Sequence, residues 1–448
     1  MYNSRILKKF NIFRKSNGNL FSVFKSILTN GFVTLLGLVT GMITARYLGV
    51  EGRGEQAAII IWPQFLAYIL TLGLPSALVY YFRIRKNMNA AYFYCSIISS
   101  LILGVISVIG GIIIVPFFLR GYSEDIILFS QIVMIAAPFI LNDALINAIL
   151  QGRGQFNTLN RVRYLTPFFT LVLLVFFIVT GTNNSYTFAL AYLIPSIPIT
   201  IYNSIRMYKE YKIPSWKELK KATQELYGYG IRSYGIDLAG AINVRLDRFL
   251  VVGLLSPKNM GLYVVALSLS RMLNIFTTGI VTVLFPKASG KQEKEIVEII
   301  GRSARLNLFF TGVGALIIIL FGPYALNLLY GKDFLDALPA FRILILEVMI
   351  TGTVEILSQA FMALNKPGRV TIRQMIGLVI NLPLLLILVP KYGINGAAVS
   401  LLISSIFRLL FILISFKKVL KVETPSLLIN IKDFRWLKNT VNKKYKIA

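Results

Sequence analysis

Residues 230–255 read GIRSYGIDLAGAINVRLDRFLVVGLL. The stretch is long enough for a membrane helix, which takes about 20 largely apolar residues. Yet it carries Arg232, Asp237, Arg245, Asp247 and Arg248. Charges in hydrocarbon are costly, so in membrane helices they face a bundle interior or a wet cavity, or pair with one another. What surrounds the stretch decides its reading. The chain has 448 residues, 56% of them hydrophobic, too apolar for a soluble domain to cover its own surface. Apolar runs of spanning length recur from Leu20 to Val419. The short alternating segments of a transmembrane barrel are missing. The fold class is therefore an all-α polytopic membrane protein.

The charge is lopsided: 47 Lys and Arg face 19 Asp and Glu, a net +28. In a soluble chain that would suggest nucleic acid. Here most of the charge sits in loops between apolar runs, where it sets topology and meets anionic headgroups. Membrane lipids are thus the expected partners of the basic loops, and nucleic acid is not. One cysteine, Cys95, rules out an intramolecular disulfide. With no histidine, the usual proton shuttle and the commonest metal ligand are missing, and no metal or cofactor is expected. Residues 1–19 are basic and polar, and the first apolar run is too long for the core of a cleavable signal.

We read about twelve spans, near 21–48, 57–81, 91–118, 126–150, 162–181, 186–206, 228–254, 260–285, 304–329, 337–363, 370–390 and 394–416. Richly basic segments alternate with segments holding one basic residue or none. Arg83, Arg85 and Lys86 follow the lone Arg53; Lys287, Lys291 and Lys294 follow the lone Lys258. The positive-inside rule then puts both termini in the cytoplasm, in an inner (plasma) membrane. The longest connection, 207–227, is basic and separates six spans from six. The expected organisation is an N-terminal six-helix lobe, 1–206, a cytoplasmic linker, 207–227, a C-terminal six-helix lobe, 228–418, and a basic cytoplasmic tail, 419–448.

The halves resemble each other weakly. YLGVEGRGEQAAI (47–59) is similar to GLLSPKNMGLYVVA (253–266), and ILQGRGQFNTLNRVRYL (149–165) to MALNKPGRVTIRQMIGL (362–378). Six spans each, with matching inside loops, describe a parallel repeat. Its pseudo-twofold axis lies along the membrane normal, as in transporters whose halves rock about a central cavity.

ITARYLGVEGRGEQA (43–57) and INVRLDRFLVVGLLSPKNMGLYVVALSLSRM (242–272) resemble the polysaccharide flippases of the Wzx type, relatives of the multidrug and toxin extruders. The lengthwise pattern covers nearly the whole chain. This resemblance implies two pseudo-symmetric six-helix lobes around a V-shaped central cavity and alternating access. It also implies a polyprenyl-diphosphate-linked glycan, on an undecaprenyl or similar carrier, as cargo. The peptidoglycan lipid flippases are similar but usually carry two more helices, which are not found here.

The buried charges then acquire candidate roles. On a helical wheel of 230–255, Leu238, Ala239, Ile242, Leu246 and Phe249 form a charge-free arc, and the charged residues take the rest. Guanidinium binds phosphate oxygens in a bidentate fork, so Arg245 and Arg248 are candidate ligands of the diphosphate. Asp247 and Asp237 read equally as pairing partners of these arginines, and Arg232 as a headgroup anchor. Arg271, mid-span in LSLSRMLNIF, is too deep to snorkel and is the leading diphosphate candidate. Arg46, at the outer end of the first span, either snorkels or lines the cavity. Arg342 and Glu347 are expected to pair, and Arg408 to face inward with a partner. Asp143, the only acid within the first lobe's spans, is either a coupling site for a cation or proton or a carboxylate hydrogen-bonded to the helix across from it.

Two rivals are weaker. An enzyme acting on the same lipid carriers needs an external loop or paired carboxylates, and the outside loops are short and lack them. A cation-coupled multidrug extruder needs an acidic or aromatic cavity, whereas the buried charges are mostly arginine. The expectation is a non-enzymatic flippase. It carries lipid-linked oligosaccharide from the cytoplasmic to the outer leaflet for surface polysaccharide biosynthesis, alongside the polysaccharide polymerase machinery.

Overall fold

The computed structural model describes residues 3–288, 292–430 and 433, with side chains described for 29–234, 249–281, 284, 292–430 and 433. Every regular element among them is helical. In chain order the α-helices are α1 (Asn3–Ile69), α2 (Leu74–Ile84), α3 (Asn89–Phe118), α4 (Glu124–Ile132), α5 (Ala137–Gly152), α6 (Phe156–Val179) and α7 (Ser185–Leu193). They continue with α8 (Ser196–Glu210), α9 (Trp216–Leu254), α10 (Pro257–Ser270), α11 (Asn274–Ala288), α12 (Glu293–Leu329), α13 (Leu338–Ala363) and α14 (Gly368–Ser415). Among the described residues, eight helical stretches are long and apolar enough to cross a membrane.

Two of those stretches, Thr29–Ile69 and Gly368–Leu420, have 41 and 53 residues, where one crossing takes about 20. Each contains a glycine that breaks the helix. Gly49 has φ 67° within α1 and Gly393 has φ 56° within α14. With ψ at −170° and −134°, both residues lie in a positive-φ extended region essentially confined to glycine, which is why glycine occupies both turns.

The expected linker 207–227 is mostly helical. Helix α8 runs to Glu210, and α9 starts at Trp216 because Ser215 and Glu218 form a capping box. Only 211–215, which include Pro214, lie outside helix.

The chain divides into two compact units, Met1–Val264 and Val265–Ala448. The first takes in α9, for visible reasons. Near the start of α9, Glu225 accepts from Arg85 Nη1 at 2.7 Å and from the Tyr92 hydroxyl. Further along, Phe249 stacks on Phe65 at 3.9 Å and meets Trp62 edge-on at 4.9 Å. Trp62 is fully buried, and such aromatic pairs add to the area they bury.

The second unit packs around Leu284, Ile300, Ile356, Phe361, Ile412 and Phe416. Its C-terminal segment folds back on α12. Arg305 donates to both oxygens of Asp433 at 2.7 and 2.8 Å, and Arg302 lies 3.4 Å from the same carboxylate. These bonds hold the Asp433 carboxyl below the usual carboxylate range.

The second pair of similar sequences ends in matching turns. After α5, the amides of Arg153, Gly154 and Gln155 bond to Ile149, Gln151 and Leu150. After α13, those of Leu364, Asn365 and Lys366 bond to Ala360, Met362 and Phe361 in the same pattern. Gly154 and Asn365 are both left-handed, at φ 70° and 54°, the usual way of closing a helix C-terminus.

Candidate functional site

Two polar clusters interrupt the apolar helices, one in each unit. In the first unit, α5 presents Asp143. Its carboxylate accepts from Thr200 on α8 at 2.9 Å and from Asn147, one turn further along α5, at 2.9 Å. Asn142 donates to Ser204 at 3.0 Å, so polar pairs lace α5 to α8. The hydrogen bond to the helix across from Asp143, one of the two sequence readings, is present. The other remains open, because Asp143 also borders a cavity of about 860 Å³. The carboxylate oxygens retain spare lone pairs, and Oδ1 of both Asn142 and Asn147 is buried without a hydrogen-bond partner. These oxygens are hard donors of the kind that suit small cations.

The rest of that cavity was not read from the sequence. Arg83 and Arg163 line it, with Ser76, Gln151 and the aromatic residues Tyr80 and Tyr229. Tyr80 and Tyr229 stack at 4.8 Å, with their rings 13° apart. The two arginines had been read only as topology-setting loop charges. The one available signal was helical spacing. Val79 and Arg83 lie four residues apart, as do Leu159 and Arg163, and all four line the cavity.

In the second unit, Glu347 is almost fully buried on α13. Arg271, at the 3-10 turn between α10 and α11, reaches it at 3.9 Å, and Arg408 of α14 at 3.6 Å. Thr351 donates to Glu347 at 2.5 Å and accepts from Arg408 at 3.3 Å. Two turns along α13, Glu355 lies 3.7 Å from Arg373, which also donates to Ser358 at 3.1 Å. Among the described residues, three guanidinium groups thus gather about two carboxylates. The ion-pair distances exceed the roughly 2.7–2.9 Å of a charge-assisted hydrogen bond. Nε of both Arg373 and Arg408 is buried without a hydrogen-bond partner.

This cluster corrects one expectation and meets another. Glu347 pairs with Arg271 and Arg408, not with Arg342, which is exposed. Five residues along a helix is about 140° of rotation, so Arg342 and Glu347 point to different sides. Arg408 does face inward with a partner. Arg373, within the expected span 370–390, lies inside α14 and is buried.

Arg46 is exposed, three residues before Gly49, and Arg232 is exposed on α9. Arg245, Asp247 and Arg248 belong to α9, but their side chains lie outside the described residues, as does that of Asp237.

The sequence profile of the family described as polysaccharide biosynthesis protein matches residues 43–339. The chain belongs to this family. The resemblance read from residues 43–57 and 242–272 is thereby borne out. A protein of Shigella flexneri, named as an O-antigen transporter, is 24% identical over 85% of this chain and 94% of its own length. A protein of Haloferax volcanii, named as the low-salt glycan biosynthesis flippase Agl15, is 24% identical over 43% of this chain. That match spans only 41% of the Haloferax protein.

Among solved structures, the lipid II flippase MurJ in an inward closed conformation superposes with a TM-score of 0.74 at 20% identity. The match covers 91% of this chain and 88% of that one. An inward-facing multidrug resistance MATE family transporter of the MOP superfamily gives a TM-score of 0.68 at 16% identity, over 87% and 96%. At these identities the likeness is one of fold.

Proposed function

We propose that this chain is a flippase for a polyprenyl-diphosphate-linked oligosaccharide. It would carry the headgroup from the cytoplasmic to the outer leaflet of the plasma membrane for surface polysaccharide biosynthesis. The observation that carries the proposal is the gathering of guanidinium groups within the described apolar helices. Arg271, Arg373 and Arg408 stand against Glu347 and Glu355, and Arg83 and Arg163 flank the cavity that Asp143 borders. A diphosphate is an anion that such a gathering can bind, and guanidinium is the group that grips phosphate in a fixed geometry. The name and near-full-length match of the Shigella protein support the same substrate class.

In this reading two six-helix lobes, 1–206 and 228–418, alternate access to a central cavity, with about twelve spans and both termini cytoplasmic. Arg271 contacts the diphosphate together with Arg245 and Arg248. Asp247 balances them, and Arg46 sits at the outer end of the pathway. Asp143 takes up a coupling cation or proton. The carboxylate has neighbouring Thr and Asn oxygens and no imidazole to share the task. The polyprenyl tail stays in lipid while the headgroup crosses, and the polymerase machinery receives the product outside.

The test is deletion in the native host, followed by mass analysis of its lipid-linked glycans. Accumulation of complete diphosphate-linked repeat units, with loss of surface polysaccharide, is expected. Unchanged glycans with raised sensitivity to cationic dyes would overturn the proposal and favour a cation-coupled multidrug extruder.

A further inference from the structure

A second concave surface of the first unit is built differently from the Asp143 cavity. It lies between α6 and the α7–α8 pair, with a volume of about 470 Å³. Leu165, Phe169 and Val172 of α6 form one wall, and Ile199 and Tyr202 of α8 the other. On α6 these residues recur at helical spacing, so they form a single stripe. Helix α6 runs alongside α7 and barely touches α8. The gap follows from Pro195, which has no amide hydrogen to give to the helix ladder and sits where α7 ends and α8 begins. Most of this surface is apolar and exposed: Phe169, Val172 and Tyr202 are all large and open.

One end of the groove is basic. Arg161 and Arg206 line it there, brought together because α6 and α8 run antiparallel. Arg153 lies close by, bound to Glu210 at 2.6 Å. Arg206 reaches the same carboxylate only loosely, at 3.6 Å. Arg161 is exposed and joins no ion pair among the described residues. Arg153 and Arg206 thus share the Glu210 carboxylate, and Arg161 lines the same end of the groove. From Arg161 to Leu173 the groove runs twelve residues of helix, about 18 Å at the helical rise. Half of a hydrocarbon core is about 15 Å, so the groove is one leaflet deep.

We propose that this groove binds an anionic phospholipid of the cytoplasmic leaflet, with one acyl chain along α6 and α8 and its phosphate held by Arg161 and Arg206. Basic pockets between membrane helices hold lipid phosphates by this combination. Guanidinium gives the fork geometry that phosphate fits. Tyr202, one turn from Arg206, stands at headgroup level, where tyrosine is favoured. The choice of leaflet rests on the orientation proposed above. The binding itself does not depend on what the chain transports.

The full-length protein in detergent is titrated with phosphatidylglycerol and with phosphatidylcholine, and bound lipid is read by native mass spectrometry. The expected result is about a tenfold preference for phosphatidylglycerol, equivalent to about 1.4 kcal/mol. Arg161→Gln combined with Arg206→Gln should remove that preference while keeping apolar binding. Val172→Trp, which fills the groove, should weaken both lipids. Lys258→Gln, a basic residue outside the groove, serves as the control for net charge. A preference unchanged in the double arginine variant would overturn the site. Retention of a polyprenyl phosphate in place of phosphatidylglycerol, with both offered equally, would overturn the phospholipid assignment. None of these readings involves transport, so their failure is distinct from failure of the flippase proposal.

Discussion

Gly54 and Gly261 cross at backbone contact, and the crossing is reciprocal. A Cβ placed on Gly54 would overlap the carbonyl oxygen of Pro257, and one placed on Gly261 would overlap that of Val50. The same two positions would stand 2.9 Å from the Gly261 amide nitrogen and 3.1 Å from that of Gly54. Both pairs, Gly54 with Gly261 and Val50 with Pro257, are 207 residues apart. These are the stretches whose similarity suggested an internal repeat, and they meet through equivalent positions, as the two sides of an isologous contact do. Gly54→Ala and Gly261→Ala should each cost about 1–3 kcal/mol, the range for overpacking. The double variant should cost less than the sum, since one separation relieves both clashes. Unfolding temperatures in detergent check this; strictly additive losses would count against a shared crossing.

Glu347 holds two arginines, so its loss should be felt in the fold. Glu347→Gln leaves Arg271 and Arg408 without their shared carboxylate. Breaking a buried pair in this way costs about 3–5 kcal/mol. Adding Arg408→Met should restore part of the loss, because the uncompensated charge goes with it. Thermal unfolding of the single and double variants measures both effects. A double variant less stable than Glu347→Gln would show that Arg408 stabilises the fold through contacts other than Glu347, such as Thr351.

Arg271 should behave in the opposite way. Its side chain is 33% exposed and 3.9 Å from Glu347, and Glu347 keeps Arg408 and Thr351 as partners when Arg271 is removed. Arg271→Ala should therefore leave expression and unfolding temperature nearly unchanged while abolishing glycan export. Normal export from cells carrying this variant would remove Arg271 from the pathway.

Asp143→Asn keeps the side-chain shape and removes the charge. One of the hydrogen bonds from Thr200 or Asn147 would then face an amide donor, a loss of about 0.5–1.5 kcal/mol. Export should fall far more than stability and lose its dependence on an imposed ion gradient. Uptake assays in vesicles with and without the gradient separate the two effects.

The clasp of Asp433 on Arg302 and Arg305 should depend on pH. The folded-state carboxyl titrates below its unfolded value of about 3.9. Its contribution is therefore complete above that value and lost as pH falls through the lower, folded value. At neutral pH, Asp433→Asn should raise amide exchange in residues 421–430. In acid, below the folded value, the variant and the parent should exchange alike. Equal protection of the two proteins at neutral pH would show that the clasp does not hold the tail.

The sequence by itself determined that this is a helical membrane protein of the polysaccharide biosynthesis family. Apolar length and loop charge are local properties, and each stretch declares them without its neighbours. The ends of spans near 48 and 390 were legible for the same reason, and the structure puts the helix breaks at Gly49 and Gly393. The alignment that placed 47–59 against 253–266 was also visible, although nothing in it required the two stretches to touch. Tertiary structure alone decided which charges meet. Arg373 lies near the start of an expected span, and only packing sets it beside Ser358 and Glu355. Arg342 reads as the partner of Glu347 until helix rotation turns it away. Arg83 and Arg163 come to line one cavity only when α2 and α6 both pack against α5. An ion pair depends on distance between side chains far apart in sequence, and no local pattern of residues encodes that distance.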